Sequence, residues 1–278
     1  MKSRAPFENA TYRSQVSRLR SLATQVIKRY PIRIRKLEFI RHAENATFCV
    51  HSTLGRRYLL RIHRGGYHTE AAILEELRWL AHLKKHGVVV PAPLRSNAGR
   101  VIETLATDGV TTARKCCVFE WVNGKFVGKN ITLQNTFELG SLLAKLQQTA
   151  PAPKSRQRLY WTADGLVGDA PKFGPVRNLK AVDRRHLAVI NRARPRVLSA
   201  LRRYQRAHPE KMGLIHADLH FGNILRTKSG LAPIDFDDSG YGFYGYDLAI
   251  SLMAVQGLLG KKRKRDFPKF RQALIDGY

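Results

Sequence analysis

Acidic side chains are scarce in this sequence: 21 Asp and Glu stand against 49 Lys and Arg over 278 residues, a formal net charge of +28. That excess lies well beyond the single-digit charges that serve solubility in small domains, and it implies an anionic partner. Cysteine is scarcer still. The three thiols, Cys116 and Cys117 adjacent and Cys49 remote, supply neither a disulfide framework nor a CxxC metal pair, which suits a reducing cytosol. Long apolar runs are lacking as well. The longest, Leu248 to Gly260, has 13 residues and is interrupted by Ser251 and Gln256, short of the roughly 20 that a membrane-crossing helix needs. The first 30 residues carry Lys2, Arg4, Arg13, Arg18, Arg20, Lys28 and Arg29 with Glu8 as the one acid. That stretch has no apolar h-region, which excludes a secretory signal. Its transit-peptide-like composition is discounted because the basic bias continues along the whole chain. No period of 20 to 50 residues recurs, so a solenoid is not expected.

What is there, 44% hydrophobic and 9% aromatic residues, makes a packed globular chain of one large or two small domains. Tyr12, Val16, Leu19, Ala23, Val26 and Tyr30 recur at helical spacing until Pro31. Thr47 to Val50 and Tyr58 to Ile62, on either side of a turn at Leu54 and Gly55, read as a β-hairpin. Ile73, Leu77, Leu80 and Leu83 then share one face of a helix from Thr69 to Lys84, closed by Gly87. Val88 to Val90, Arg100 to Leu105 and Lys115 to Val122 read as further strands. A small antiparallel sheet with one helix is thus expected over about 36–121. Beyond Asn123 and Gly124 the pattern turns helical, at Phe137 to Leu146 and in two basic helices within Arg177 to Arg206 that part at Pro195. Two short strands, Gly213 to Ile215 and Leu231 to Ile234, flank a loop. The domains expected are 1–121 and 122–278.

That loop breaks the basic rule. From Leu214 to Ile250 the acids are Asp218, Asp235, Asp237, Asp238 and Asp247, and the bases are Arg226 and Lys228 alone. Carboxylates gathered in a cationic chain suit a hard divalent cation, which takes oxygen ligands, and a proton acceptor that is anionic at neutral pH. The order is His216-Ala-Asp218-Leu-His220-Phe-Gly-Asn223, with Asp235 following 12 residues later. In phosphoryl transfer one carboxylate orients the acceptor hydroxyl and takes its proton, while an amide oxygen and a second carboxylate hold Mg²⁺ against the nucleotide phosphates. Asp218, Asn223 and Asp235 fit those three roles.

With LIHADLHFGNIL at 214–225, IDFDDSG at 234–240 and YDLA at 246–249, the chain resembles the phosphotransferase superfamily. That group contains aminoglycoside phosphotransferases, choline and homoserine kinases and RdoA-like serine/threonine kinases. The resemblance covers about residues 37–278 and implies an α+β, bilobal protein-kinase-like fold. The N-lobe is a small antiparallel sheet with one main helix, and the C-lobe is mainly helical. It implies ATP and Mg²⁺ as cofactors, with Asp218 as base, Asn223 and Asp235 as metal ligands, and Asp247 bracing the loop. His220 stands where protein kinases carry a phosphate-binding lysine, and its help is expected to weaken above neutrality. His216 is expected to hydrogen-bond beneath the loop. A zinc reading of the two histidines lacks the glutamate of metalloprotease helices.

Upstream, YLLRIHRGG at 58–66 is similar to the strand that supplies a basic residue to the phosphates. Arg61 takes the usual lysine position and Glu76 is its partner. HAENATFCV at 42–50 fills the nucleotide-loop position without glycine, which limits phosphate contact to backbone amides around Asn45. VFEWVNG at 118–124 is similar to the hinge, where backbone groups of Glu120 and Val122 would meet the adenine edge. Glu75 is expected on an exposed helix face. Asp237 and Asp238 reach metal or substrate, or form a solvated turn. The basic 177–206 segment forms a solvated face, or points to an anionic acceptor or docking surface and away from polycationic aminoglycosides. The run at Lys261 to Arg265 suits nucleic acid or anionic membrane phosphates, or simply water.

Three activities follow: a small-molecule kinase, an RdoA-like serine/threonine protein kinase, or a non-catalytic nucleic-acid-binding protein on the same scaffold. Retention of all three loop residues argues against the last. The resembled proteins commonly continue into further helix where this sequence stops at Gly277-Tyr278, which leaves a truncated chain with an incomplete acceptor cleft as an open alternative.

Overall fold

The computed structural model describes residues 6–128, 131–151, 157–158, 160–169, 171, 182–261 and 263–278. The chain divides into two compact units. One comprises Met1–Lys84 and Val90–Asn123, the other Lys85–Val89 and Gly124–Tyr278.

The first unit is built on helix α1 (Tyr12–Ile27), strands β1 (Ile34–His42), β2 (Ala46–Ser52) and β3 (Arg57–Ile62), helix α2 (Glu70–Lys85, its last residue crossing into the second unit), and strands β4 (Glu103–Thr107) and β5 (Val110–Glu120). The strands form one antiparallel sheet in the order β1-β2-β3-β5-β4. Thr11 caps α1 by accepting the Ser14 N–H, and Thr69 accepts the Ala72 N–H at the start of α2. Alternation along the strands separates two faces. Phe48, Val50, Leu60, Ile62, Cys116 and Val118 pack with Leu19, Leu22, Ala23, Val26 and Ile27 of α1 in one buried cluster. Each fully buried aliphatic side chain of this kind contributes about 1.5–3 kcal/mol relative to exposure. Arg61, lying between Leu60 and Ile62, therefore points to the opposite face, where α2 supplies Glu76. Glu103 ties the end of α1 to β4. Burial pushes its carboxyl up, but hydrogen bonds from Arg100, Ser96 and Arg29 outweigh that and hold it at about 2.

Three expectations change here. Val88 to Val90 form no strand, because Pro91 and Pro93 remove the N–H donors a ladder needs; the chain joins β5 only through Leu94 N–H to Val118 O, Glu120 N–H to Ala92 O and a bridge at Pro93. Strand β1 is additional. Glu75 is buried, because it falls three residues after Ala72 and four before Trp79 on an inward stripe of α2.

The second unit contains β6 (Lys125–Phe126), α3 (Leu133–Gln148), α4 (Ala163–Val167), α5 (Arg184–Ala207), β7 (Met212–Ile215), β8 (Ile224–Thr227), β9 (Gly230–Pro233), β10 (Gly240–Phe243), α6 (Tyr244–Leu259) and α7 (Phe267–Gly277). Strand β8 pairs antiparallel with β9 and with β6, and β7 with β10. The basic segment is one helix from Arg184 and does not part at Pro195; its 177–181 stretch lies outside the described residues. Pro195 lacks an N–H for the Asn191 carbonyl, yet both residues are exposed, so water can take that carbonyl. Among the described residues no helix is long and apolar enough to cross a membrane.

Helices α3 and α7 touch backbone to backbone. A Cβ at Gly140 would lie 2.1 Å from the Leu274 carbonyl oxygen, and one at Gly277 would lie 2.0 Å from that of Phe137. The contact brings the Tyr278 hydroxyl onto Gln147 Oε1. Gln147 Nε2 in turn donates to the Tyr244 carbonyl (3.5 Å) at the start of α6 and lies beside Asp247 in its first turn, drawing that carboxyl's pKa down. Asp247 is fully buried and its two oxygens accept from the backbone N–H groups of His216 (2.9 Å) and Ala217 (2.6 Å). This fixes the exit of the chain from β7.

Two outcomes follow. Gly140→Ala is expected to destabilise the protein by about 1–3 kcal/mol in urea unfolding, because the backbone clash exceeds the ~1 kcal/mol helix-propensity gain. Burial pushes the Asp247 carboxyl up to about 6, against the pull of the His216 and Ala217 N–H donors. With the folded value above the unfolded one, its favourable contribution is complete below about pH 4 and is lost as pH rises through about 6. The stability of the wild type relative to Asp247→Asn should therefore fall by on the order of 3 kcal/mol between pH 4 and 7. A difference that stays flat with pH would refute this.

Candidate active site

The loop from His216 to Asn223 follows β7, and two backbone distortions shape it. Among the described residues, Ala217 (φ 66°) and Asp235 (φ 63°) are the non-glycine residues in the left-handed region. Such a conformation costs about 1–2 kcal/mol per residue and persists only where neighbours enforce it. At Ala217 the enforcer is Asp247, which holds the N–H of Ala217 and that of the residue before it. Asp218 follows at once. Below the loop, His216 is buried, with Nε2 against the Ile234 carbonyl (3.1 Å) and its ring near Phe236. Ser251 of α6 donates to the Leu219 carbonyl at 2.7 Å, and Leu219, Phe221 and Ile224 are buried beneath.

The polar groups then converge. Asn223 Nδ2 donates to the Asp218 carbonyl (3.0 Å) and to Asp218 Oδ2 (2.8 Å). With its amide nitrogen turned to Asp218, Asn223 presents Oδ1 as the group suited to a cation. The Asn223 carbonyl accepts from Ile234 N–H at 2.9 Å, which sets the following residue, Asp235, beside the loop. Asp235 is exposed. Asp237 is buried and Asp238 half-buried, so the solvated-turn alternative fails for the former.

His220 Nδ1 accepts the Gly222 N–H at 2.9 Å. A ring that accepts at Nδ1 carries its proton at Nε2, and Nε2 lies 3.7 Å from Asp218 Oδ1. In that tautomer the ring turns an N–H donor toward Asp218. Gly222 is required for this approach, because a Cβ there would lie 2.9 Å from Nδ1.

In the other unit, Arg61 and Glu76 form a buried pair at 2.6 Å, and the guanidinium lies 5.0 Å from the Phe119 ring centroid. Removing one member of such a pair typically costs about 3–5 kcal/mol, since the survivor is left charged and dry. Asn45 closes the β1–β2 turn: its Oδ1 accepts the Arg64 N–H (3.2 Å) and its carbonyl the Ala43 N–H. The Glu120 carboxylate binds Lys84 Nζ at 2.6 Å, and its N–H is engaged by Ala92. Val122 lies just past β5 and is half-buried. The residues singled out in the sequence therefore form two groups. Asp218, His220, Asn223 and Asp235 belong to the second unit, and Arg61, Glu76, Asn45, Glu120 and Val122 to the first.

Sequence reasoning missed Arg158. It lies far from any motif, yet its buried guanidinium reaches the 237–239 backbone. No local signal marks it, because its partners are carbonyl oxygens that every residue carries.

Asn223 and Asp235 bring hard oxygen donors from two segments that the Ile234 N–H to Asn223 carbonyl bond joins. That donor set fits Mg²⁺, which binds through one or two protein oxygens and takes the rest of its shell from phosphates and water.

Comparison with known proteins agrees with this geometry. The model of the phosphotransferase enzyme family matches residues 36–278. Amicoumacin kinase of Bacillus subtilis is 27% identical over 233 residues, which cover 82% of this chain and 65% of that protein. The present chain thus spans about two thirds of that relative's length. Among solved structures, a microcompartment-associated aminopropanol kinase superposes with a TM-score of 0.71 at 28% identity, covering 92% of this chain and 88% of its own. The amicoumacin kinase hAmiN, in complex with AMP-PNP, Ca²⁺ and Ami, gives 0.78 at 22% identity, covering 96% and 80%, and shares the fold. A match running from residue 36 to residue 278, on a loop and sheet of this design, establishes that the chain belongs to the phosphotransferase enzyme family.

Proposed function

We propose that this protein transfers the γ-phosphoryl group of ATP to a hydroxyl of a small-molecule acceptor, with Mg²⁺. The observation that carries the reading is the arrangement of Asp218, Asn223 and Asp235. Asp218 is oriented by the Asn223 amide nitrogen, and the backbone bond from the Ile234 N–H to the Asn223 carbonyl sets the residue that follows, Asp235, next to that loop. Asp218 Oδ1 accepts the proton of the acceptor hydroxyl, while Asn223 holds Oδ2 so that the carboxylate cannot rotate away. His220 Nε2–H is a donor within reach of an oxygen bound at Asp218. Asn223 and Asp235 would hold Mg²⁺, whose role when bound is to neutralise charge on the transferring phosphates. Arg61, fixed by Glu76, contacts the α- and β-phosphates. Because the Glu120 N–H is engaged by Ala92, Glu120 meets adenine through its carbonyl, which accepts from the adenine amino group, with Val122 supplying the neighbouring backbone group.

The names of the relatives support a small-molecule acceptor over a protein one, since they are kinases of amicoumacin and of aminopropanol. The arginines exposed along α5, a helix without an acidic residue, favour an anionic acceptor over a polycationic aminoglycoside. Three buried free thiols suit a cytosolic location.

The test is Mg²⁺-dependent ATP consumption across fractionated metabolite pools, with products identified by a mass gain of one phosphoryl group. Asp218→Ala should lower turnover by roughly 10²–10⁴-fold while leaving nucleotide affinity unchanged in calorimetry. Unchanged turnover would remove the assignment of the base. Gly222→Ala, at an exposed position, should displace the His220 ring and lower turnover, with stability altered by less than about 0.5 kcal/mol. Wild-type rates in that variant would show that the ring's placement is immaterial.

A further inference from the structure

Arg158 and Trp161, which lie between α3 and α4, bind the backbone just after Asp235, at Asp237 to Tyr241. Arg158 is 2% exposed. Its Nη1 donates to the Asp237 carbonyl (2.9 Å), the Ser239 carbonyl (2.5 Å) and Ser239 Oγ (3.1 Å). The Trp161 indole N–H donates to the carbonyl between them, that of Asp238, at 2.8 Å. Three successive carbonyls are therefore held by two side chains. The backbones interlock as well. The Tyr241 N–H donates to the Arg158 carbonyl (2.7 Å), and the Trp161 N–H donates to the Tyr241 carbonyl (3.1 Å). Two glycines permit this approach, since a Cβ at Gly240 would sit 2.7 Å from the Arg158 oxygen and one at Gly242 would sit 2.2 Å from Trp161 Cβ.

A guanidinium is expensive to bury, so its placement here needs a reason beyond packing. Three carboxylates within four residues repel one another, and a fixed positive charge directly behind their backbone offsets that repulsion. The two in-plane N–H groups of Nη1 also aim at these carbonyls in a fixed direction, which a rotating ammonium does not. Held at Asp237 to Ser239 on one side and at Ile234 by Asn223 on the other, the chain has little freedom at Asp235, and its left-handed φ is retained.

We propose that Arg158, with Trp161, is a positioning residue for the divalent cation: it presets the Asp235 turn and balances its charge without touching metal or nucleotide. The inference rests on the reading that Asp235 is a metal ligand, and the experiment separates the two. Mg²⁺ is titrated calorimetrically into the full chain bound to a non-hydrolysable ATP analogue. Metal-free analogue affinity, thermal stability and protection of the Tyr241 amide from hydrogen exchange are measured alongside. Arg158→Ala should weaken Mg²⁺ at least tenfold and shorten Tyr241 protection, leaving metal-free nucleotide affinity within threefold. Millimolar guanidinium should restore Mg²⁺ affinity, and Arg158→Lys should recover only part of it. If Arg158→Ala folds poorly, Trp161→Phe, which removes one hydrogen bond and keeps the ring, should produce a smaller shift of the same sign. Wild-type Mg²⁺ affinity in Arg158→Ala, or in Trp161→Phe where the alanine variant does not fold, overturns the proposal, provided Asp235→Asn loses the metal response. Retention of that response in Asp235→Asn overturns the reading beneath it.

Discussion

A single buried carboxylate governs the geometry of the loop. Asp247 takes the N–H groups of His216 and Ala217 on its two oxygens, and this double acceptance holds a non-glycine residue in a left-handed bend. Without it the strain at Ala217 has no counterweight and the direction of Asp218 is undefined. Burial works against the ionised form of Asp247, whereas its place in the first turn of α6 works for it, because the helix N-terminus favours negative charge. The carboxylate is thus expensive to keep and still retained. This is the pattern of a group selected for the shape it imposes.

The charge distribution follows the same logic. A chain at +28 has no shortage of cations to pair with its acids, yet Asp218 makes its close polar contacts with an amide and a neutral-capable imidazole. Arg226, the next base after it in sequence, is drawn away to Glu138 and to Asn135 Oδ1. Pairing Asp218 with an arginine would fill the oxygen that a hydroxyl has to reach. Glu103, in contrast, is enclosed by Arg29 and Arg100 and has a purely architectural place at the end of α1.

Much of this was legible in the sequence, and the reasons differ by element. The Asp218–Asn223–Asp235 spacing could be read because all three lie close in sequence, so chemistry and position coincide. Arg61 and Glu76 were legible through the resemblance of the strand at 58–66, and the structure pairs them on the face opposite the α1 core. Strand β1 could not be read, since register shifts after Ile34 and after Phe39 break its alternation and leave Ile34 and Ile40 exposed on a charged edge. Glu75 was misplaced because charge outweighed its position on an inward stripe. Proline misled in opposite directions: two prolines abolished a strand suggested by Val88 to Val90, and one failed to divide α5, whose exposed surface tolerates the lost hydrogen bond. Arg158 was invisible, as its contacts with the 237–239 backbone span about eighty positions.

The hydroxyl of Tyr278 meets Gln147, Gln147 meets Asp247, and Asp247 meets the bend before Asp218. Three helices are thereby strung onto one turn of chain. A lesion where α3 and α7 touch would therefore surface as sluggish chemistry in a protein that still looks folded. Randomised libraries scored by turnover alone would flag glycines remote from the reacting atoms, and a naive reader of such a map would mistake a hinge-pin for a substrate contact.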